Sequence, residues 1–224
     1  MASCAFPRKP RRPHPIRRPR PTAMSPTEIT FLQSVALASL LAWASGLRLY
    51  LVVFAAGLAA RAGWIALPAG LEVLSHPYVL VASGLLLAAE FLADKIPGLD
   101  SAWDAVHTFI RIPAGALLAA GAAGGDGAAL AVAAGLLGGT ITAGTHFAKA
   151  GTRAAINTSP EPFSNGIASL TEDAAVLGGI WLAFAHPVAF LGALALFLLL
   201  AAWIVVRFTR FVRARLRRPA RATT

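Results

Sequence analysis

The stretch VAFLGALALFLLLAAWIVV, residues 188–206, decides the fold. It carries no charge, no proline and no alternation of apolar with polar positions. At 19 residues it matches the roughly 20 that a straight helix needs to cross a bilayer. Pro187 precedes it and Arg207 ends it, so a membrane helix starting after a turn and stopping at a cationic boundary is the direct reading.

Working outward from this span, the chain repeats the theme. Apolar segments run over 26–44, 47–62, 77–94, 101–122, 127–150, 164–184 and 187–208. The predicted fold class is all-α, a polytopic transmembrane helical bundle of six to seven apolar segments. Composition agrees: 57% of residues are hydrophobic and only 13% charged, against about 25% charged in soluble domains. A soluble exterior for 224 residues cannot be built from so few charges. Several segments fall short of a full span. Ser45-Gly46 separates the first two, which predicts a tight hairpin or one interrupted helix. Pro113 predicts a kink in the fourth segment.

Basic residues gather at the ends. Seven Arg or Lys lie in residues 8–20 and seven in 207–221, while the remainder holds six basic and all ten acidic residues. Residues 1–23, rich in Pro and Arg, are expected to form a disordered tail. Residues 24–208 form the transmembrane domain and 209–224 a basic cytoplasmic tail. Ser25, Pro26 and Glu28 make a capping box, and Met24 is an alternative start. The basic tails suit anionic lipid headgroups, so membrane lipids are the expected partners. Nucleic acid is disfavoured because no aromatic or glycine-based binding motif accompanies the charges. Cys4 is the single cysteine and cannot form an intrachain disulfide. The positive-inside rule places the C-terminus in the cytoplasm. The expected location is the bacterial inner membrane, with six crossings and one short or re-entrant segment favoured.

The informative residues are charges where lipid should be. Each costs about 2.5–3.5 kcal/mol at a bilayer centre, so it faces a partner, a cavity or a substrate path. Glu90 and Asp94 share one helical face. Asp104, His107 and Arg111 form an acid–imidazole–base stripe on the next segment, and His146, Lys149 and Arg153 form another, preceded by Thr142 and Thr145. Glu172 and Asp173 lie mid-segment with no local base, so Arg48, Arg111, Lys149 or Arg153 must reach them. The site residues expected to bind a substrate or ion are Arg48, Glu90, Asp104, His107, Arg111, His146, Arg153, Glu172 and Asp173. Asp94, Lys149 and Arg61 read as segment-end residues. No catalytic residue and no cofactor is assigned. Asp104-x-x-His107, with Glu90 or His146, leaves a metal site open. Gly135, Gly138, Gly139, Gly178 and Gly179 read as helix-packing positions.

A faint internal similarity aligns Ser83–Glu90 with Asn165–Glu172, and Ala44–Arg48 with Ala150–Arg153. It suggests two weakly similar halves with broken or re-entrant helices, as transporters are often built.

These polar motifs resemble a bacterial membrane family, domain of unknown function 4126. The resemblance rests on Ala44-Ser45-Gly46-Leu47-Arg48-Leu49-Tyr50-Leu51, Glu90-Phe91, Asp94-Lys95-Ile96-Pro97, and Asp104-x-x-His107-Thr108-x-x-Arg111-x-Pro113-x-Gly115-Ala116. It continues at Thr145-His146-x-x-Lys149-x-x-x-Arg153 and Asn157-x-Ser159-Pro160-Glu161-Pro162. It covers about residues 28–206, leaves out both tails and implies no activity.

Three function classes follow from the charges. The first is a small transporter or channel-like protein for a small ionic solute. The second is an intramembrane metal-dependent hydrolase of a lipid phosphate, against which no complete ligand motif such as His-Glu-x-x-His is present. The third is a non-catalytic scaffold or assembly factor whose charges pin helices together. A non-enzymatic role is favoured over an enzyme, and a homo-oligomer is compatible with the sequence.

Overall fold

A computed structural model describes residues 31–96, 98–158 and 162–216. The expected capping box, the 1–23 tail, Pro97, Ser159-Pro160-Glu161 and the last eight residues lie outside these. The described residues form six α-helices: α1 (Phe31–Arg61), α2 (Pro77–Ala93), α3 (Leu99–Ala123), α4 (Ala128–Ile156), α5 (Pro162–Ala185) and α6 (Pro187–Leu216). Two short 3-10 segments, Ala69–Ser75 and Gly124–Asp126, precede α2 and α4. No strand occurs among the described residues.

Local chemistry sets the boundaries. Pro77 and Pro187 open α2 and α6, where a missing N–H costs nothing. The Asp100 carboxylate accepts from Gly98 N (2.9 Å) and Ser101 N (2.6 Å) at the start of α3. Gly127 stands at φ 111 before α4, a conformation glycine adopts without strain. The helix α3 continues through Pro113 to Ala123.

The bundle is inside-out relative to a soluble protein. Phe109, Leu117, Leu136, Leu199 and Trp203 are exposed on its outer faces, while Arg48, Arg111, Arg153 and Glu90 are fully buried. Lipid must cover the first set. The protein is therefore a polytopic helical membrane bundle.

By length and composition α1, α3, α4, α5 and α6 can each cross a membrane, and Ala69–Ser75 with α2, bent by 67°, makes a sixth element. However, α1 is not a rod. Arg48 leaves helical geometry (φ −144, ψ 73), and the chain reverses there. Leu37, Leu40 and Leu41 line one cavity together with Val52, Ala55, Ala56 and Ala59. In a straight helix Leu37 and Ala59 would stand about 33 Å apart. Gln33 and Leu37 likewise share a smaller cavity with Trp64 and Ile65. The first arm follows α4, with Gly46 against Thr142, Thr145 and His146. The returning arm runs beside α2, with Phe54 against Gly84 and Gly57 against Leu74 and Leu80.

The two earliest apolar segments are thus the arms of one helical hairpin, with its tip inside the bundle. Of the two arrangements expected from the Ser45-Gly46 break, a tight hairpin or one interrupted helix, the hairpin is the one formed, and it takes up both short segments. The reversal sits at Arg48, three residues beyond the start of the Ser45-Gly46 break expected from sequence. Small residues allow the deep insertion. A Cβ on Gly46 would lie 2.7 Å from the Thr142 carbonyl oxygen. On Gly138 it would lie 2.4 Å from Ala119 Cβ and 3.5 Å from Ala42 Cβ. Hairpin, α3 and α4 therefore cross at near backbone contact, as small residues permit in lipid. Gly179 accommodates Trp43, whereas Gly178 faces open space.

Candidate functional site: a buried charge network

The hairpin tip delivers Arg48 to the centre of the bundle. Its Nη1 pairs with Asp94, its Nε with Asp173 Oδ1 (2.8 Å) and Glu172 Oε2 (3.6 Å), and its Nη2 donates to the Ser169 carbonyl (3.2 Å). Arg111 holds the other end of the network. Its Nη2 pairs with Glu90, and its Nη1 reaches Asp104 Oδ1 (2.7 Å) and His146 Nδ1 (3.3 Å). Arg153 donates from Nε to Glu172 Oε1 (3.2 Å) and from Nη1 to the Asn165 carbonyl (3.1 Å), with Asp94 Oδ2 at 3.9 Å.

Lys149 lies between these arginines. Its Nζ donates to the Leu47 carbonyl (3.0 Å), and Glu172 Oε2 (3.3 Å), Asp104 Oδ1 (3.6 Å), Glu90 Oε1 (3.9 Å) and Asp94 Oδ1 (4.0 Å) surround it. In this network four basic side chains face five carboxyl groups. Glu90, Asp94, Arg48 and Arg111 are fully shielded, while Glu172 and Asp173 are 14% and 24% exposed at their side chains. The network thus runs from fully buried groups to two partly exposed carboxyl groups on α5.

The two histidines sit beside the ions rather than among the carboxylates. His107 uses Nδ1 on the Trp103 carbonyl (2.8 Å) and Nε2 on the Tyr50 hydroxyl (3.0 Å), stacked on Trp103. His146 Nε2 meets Thr108 Oγ1 (2.6 Å), whose hydroxyl in turn reaches the Asp104 carbonyl (3.0 Å). A neutral His146 protonated on Nε2 satisfies both its contacts, accepting from Arg111 on Nδ1. Among the described residues no three His, Cys, Asp or Glu side chains converge as a metal site. The Asp104-x-x-His107 pair spends its imidazole on Tyr50 and Trp103 instead.

A polar latch closes the network beside α3. Asn157 Nδ2 donates to both Asp100 oxygens (3.0 Å each), and Asn165 Nδ2 donates to Asn157 Oδ1 (2.8 Å). Asn165 also receives Arg153, so the α2–α3 and α4–α5 connections are tied to each other and to the charges.

Most of the residues expected from sequence do meet. Arg48, Glu90, Asp104, Arg111, Arg153, Glu172 and Asp173 join one network, with His146 on its edge; His107 lies one shell out. Arg48, Lys149 and Arg153 reach Glu172, whereas Arg111 does not. One assignment is corrected. Lys149 lies inside α4 rather than at a segment end, whereas Asp94 does cap the end of α2; both are nonetheless buried in the network. Their helical spacing carried the signal, since Asp94 follows Glu90 by four and Lys149 lies three after His146 and four before Arg153. Arg61 is an exposed segment end, as expected. Asp100 and Ser169 are not among the residues expected from sequence, and Asn157 and Asn165 stand there only in the family motif and the internal alignment, because short polar side chains look ordinary in sequence. Of the two internal alignments, the first brings Glu90 and Glu172 to the same lysine. The second fails structurally: α4 runs unbroken through Gly151 to Ile156, so only Arg48 stands at a helix break.

The two cavities described above lie elsewhere, between the hairpin arms and α5. The larger, about 440 Å³, is lined by apolar residues of both arms and by Ile180, Trp181 and Phe184 of α5.

Residues 35–207 match the family described as domain of unknown function, DUF4126. The chain belongs to the DUF4126 family. The matched stretch contains every member of the network and both arms of the hairpin from Val35 on, and leaves out residues 1–34 and 208–224. No curated protein and no solved structure matches this DUF4126 chain.

Proposed function

We propose that this protein translocates a small ionic solute across the membrane, with the charge network as its polar site in an occluded arrangement. One observation carries the reading. A helical hairpin brings a broken helix and Arg48 into a site built from five helices, and that site ends in the two partly exposed carboxyl groups of Glu172 and Asp173. Interrupted helices meeting at a mid-membrane polar site are a recurring transporter device, because they expose backbone groups only where these line a site. The Leu47 carbonyl, freed at the reversal and taken up by Lys149, is such a group.

The positive-inside rule then orients the molecule. Lys95, Arg153 and Arg207 fall at the end of the bundle shared by the α2–α3 turn, the α4–α5 connection and the end of α6, which makes that face cytoplasmic. The first arm of α1 enters from the opposite face. A bacterial inner-membrane location fits this arrangement.

A static brace is the competing reading, supported by the fact that every charge in the network has an opposite partner. Proteoliposome flux separates the two. Wild-type protein should move an ion or small charged solute, and Glu172→Gln and Arg153→Ala should abolish the movement. If nothing moves and both variants fold normally, the protein is a brace. The hydrolase reading has no support from the ligand geometry, since both imidazoles are committed to neutral partners or to Arg111.

A further inference from the structure

The two cavities between the hairpin and α5 lie against each other, sharing Leu37, Trp64, Ile65 and Phe184. The larger is apolar throughout. Its innermost walls, nearest the reversal of α1, are Leu40, Leu41 and Val52, each only 1% exposed. The smaller adds Gln33 and Ala66 at the far ends of the arms, so polarity rises with distance from the tip. From Gln33 to Leu41 the first arm covers about 12 Å. Trp64 and Trp181 line the recess and are 80% and 65% exposed, and Trp181 packs edge-on against His186 at the α5–α6 turn (ring centroids 5.9 Å). Exposed tryptophans of a membrane bundle mark the headgroup level. The recess therefore begins at a polar rim at that level and descends into hydrocarbon, close to the roughly 15 Å that the chains of one leaflet occupy. Left empty, its walls would forfeit dispersion contacts, and water would find no polar partners in the larger part. No basic side chain lines either cavity, so a free carboxylate would stand there uncompensated, whereas a neutral ester would not.

We propose that this recess is a binding site for one acyl chain of a phospholipid from the adjoining leaflet. The chain lies against Leu40, Leu41 and Val52, and its ester stays level with Gln33 and Trp64. The gain comes from filling the recess rather than from leaving water, since lipid tails are as apolar as its walls. The bound chain fills the space between the hairpin and α5, the helix that presents Ser169, Glu172 and Asp173 to Arg48. It thereby holds the two elements at the spacing the charge network requires. This role is independent of whether the network moves a solute or braces the bundle.

The test uses the purified full chain in digitonin, a steroid detergent with no alkyl chain to compete. The probe is phosphatidylcholine with bromine midway along one chain, which quenches tryptophan on contact; its zwitterionic headgroup is not recruited by the basic ends of the protein. Quenching should saturate at one lipid per chain, and unbrominated phosphatidylcholine should reverse it. Trp64→Phe combined with Trp181→Phe should remove the saturable part, whereas Trp203→Phe, on α6 and outside both cavities, should leave it. Ala56→Phe, which fills the larger cavity, should lose saturable quenching and unfold no earlier than wild type in lipid-free digitonin. Added lipid should raise the unfolding temperature of wild type and not that of Ala56→Phe. Quenching that climbs without saturating, as loosely associated lipid gives, overturns the proposal. So does a folded Ala56→Phe that still saturates. The tryptophan pair decides in the same way if Ala56→Phe does not fold, because saturable quenching that survives removal of the pair overturns the proposal. Displacement of the probe by oleate as readily as by phosphatidylcholine overturns the assignment to a phospholipid.

Discussion

Gly46 of α1 packs against Thr145 of α4 so closely that a Cβ on the glycine would stand 2.7 Å from the threonine Cβ. This contact seats the hairpin tip and so fixes the depth of Arg48. Gly46→Ala should destabilise the protein by about 1–3 kcal/mol, the usual cost of overpacking. Gly144→Ala, on the same α4 but facing open space, should leave stability unchanged or raise it by up to about 1 kcal/mol. Thermal unfolding in detergent distinguishes them. Equal behaviour of the two variants would contradict a seated tip.

Arg48 is the main partner of Asp94 and the nearest base to Asp173. Arg48→Met leaves Asp94 with only Arg153 and Lys149 at 3.9–4.0 Å. A buried ion pair broken on one side costs about 3–5 kcal/mol, and that loss is expected in unfolding. Arg48→Lys should recover only part of it, because one ammonium cannot span Asp94, Asp173 and Ser169 together.

The reversal of α1 makes a topological prediction. In a Cys4→Ser background, Gln33→Cys, Ala62→Cys and Gly125→Cys should react with a membrane-impermeant thiol reagent from one side. Thr158→Cys and Arg210→Cys should react from the other. A straight α1 would instead put Gln33 and Ala62 on opposite sides. Labelling of intact cells before and after permeabilisation decides between them.

The latch predicts a smaller effect. Asn157→Leu removes the donor shared by both Asp100 oxygens, which keep the backbone donors of Gly98 and Ser101. The expected cost is about 1–3 kcal/mol, that of leaving a buried acceptor under-satisfied. Cleavage of the α4–α5 connection by added protease should also speed up, since this side chain ties the connection to α3. Unchanged cleavage would mean the latch does not restrain it.

The sequence by itself determined that this is a helical membrane protein, because bilayer thickness and the cost of unsatisfied backbone translate directly into apolar segment lengths. It also determined that the charges must find partners within the bundle. Glu90, Arg111, Arg153 and Glu172 recur at helical spacing inside lipid-facing sequence, and such residues must find partners. The tertiary structure decided how they meet. Whether residues 26–62 cross once, twice or not at all depends on a single backbone reversal at Arg48, and the local sequence around Ser45-Gly46 permits an interrupted rod as readily as a hairpin. The same fold buried Asp94 although it caps α2, because a helix end is at the surface only if nothing packs over it. Here the hairpin tip does.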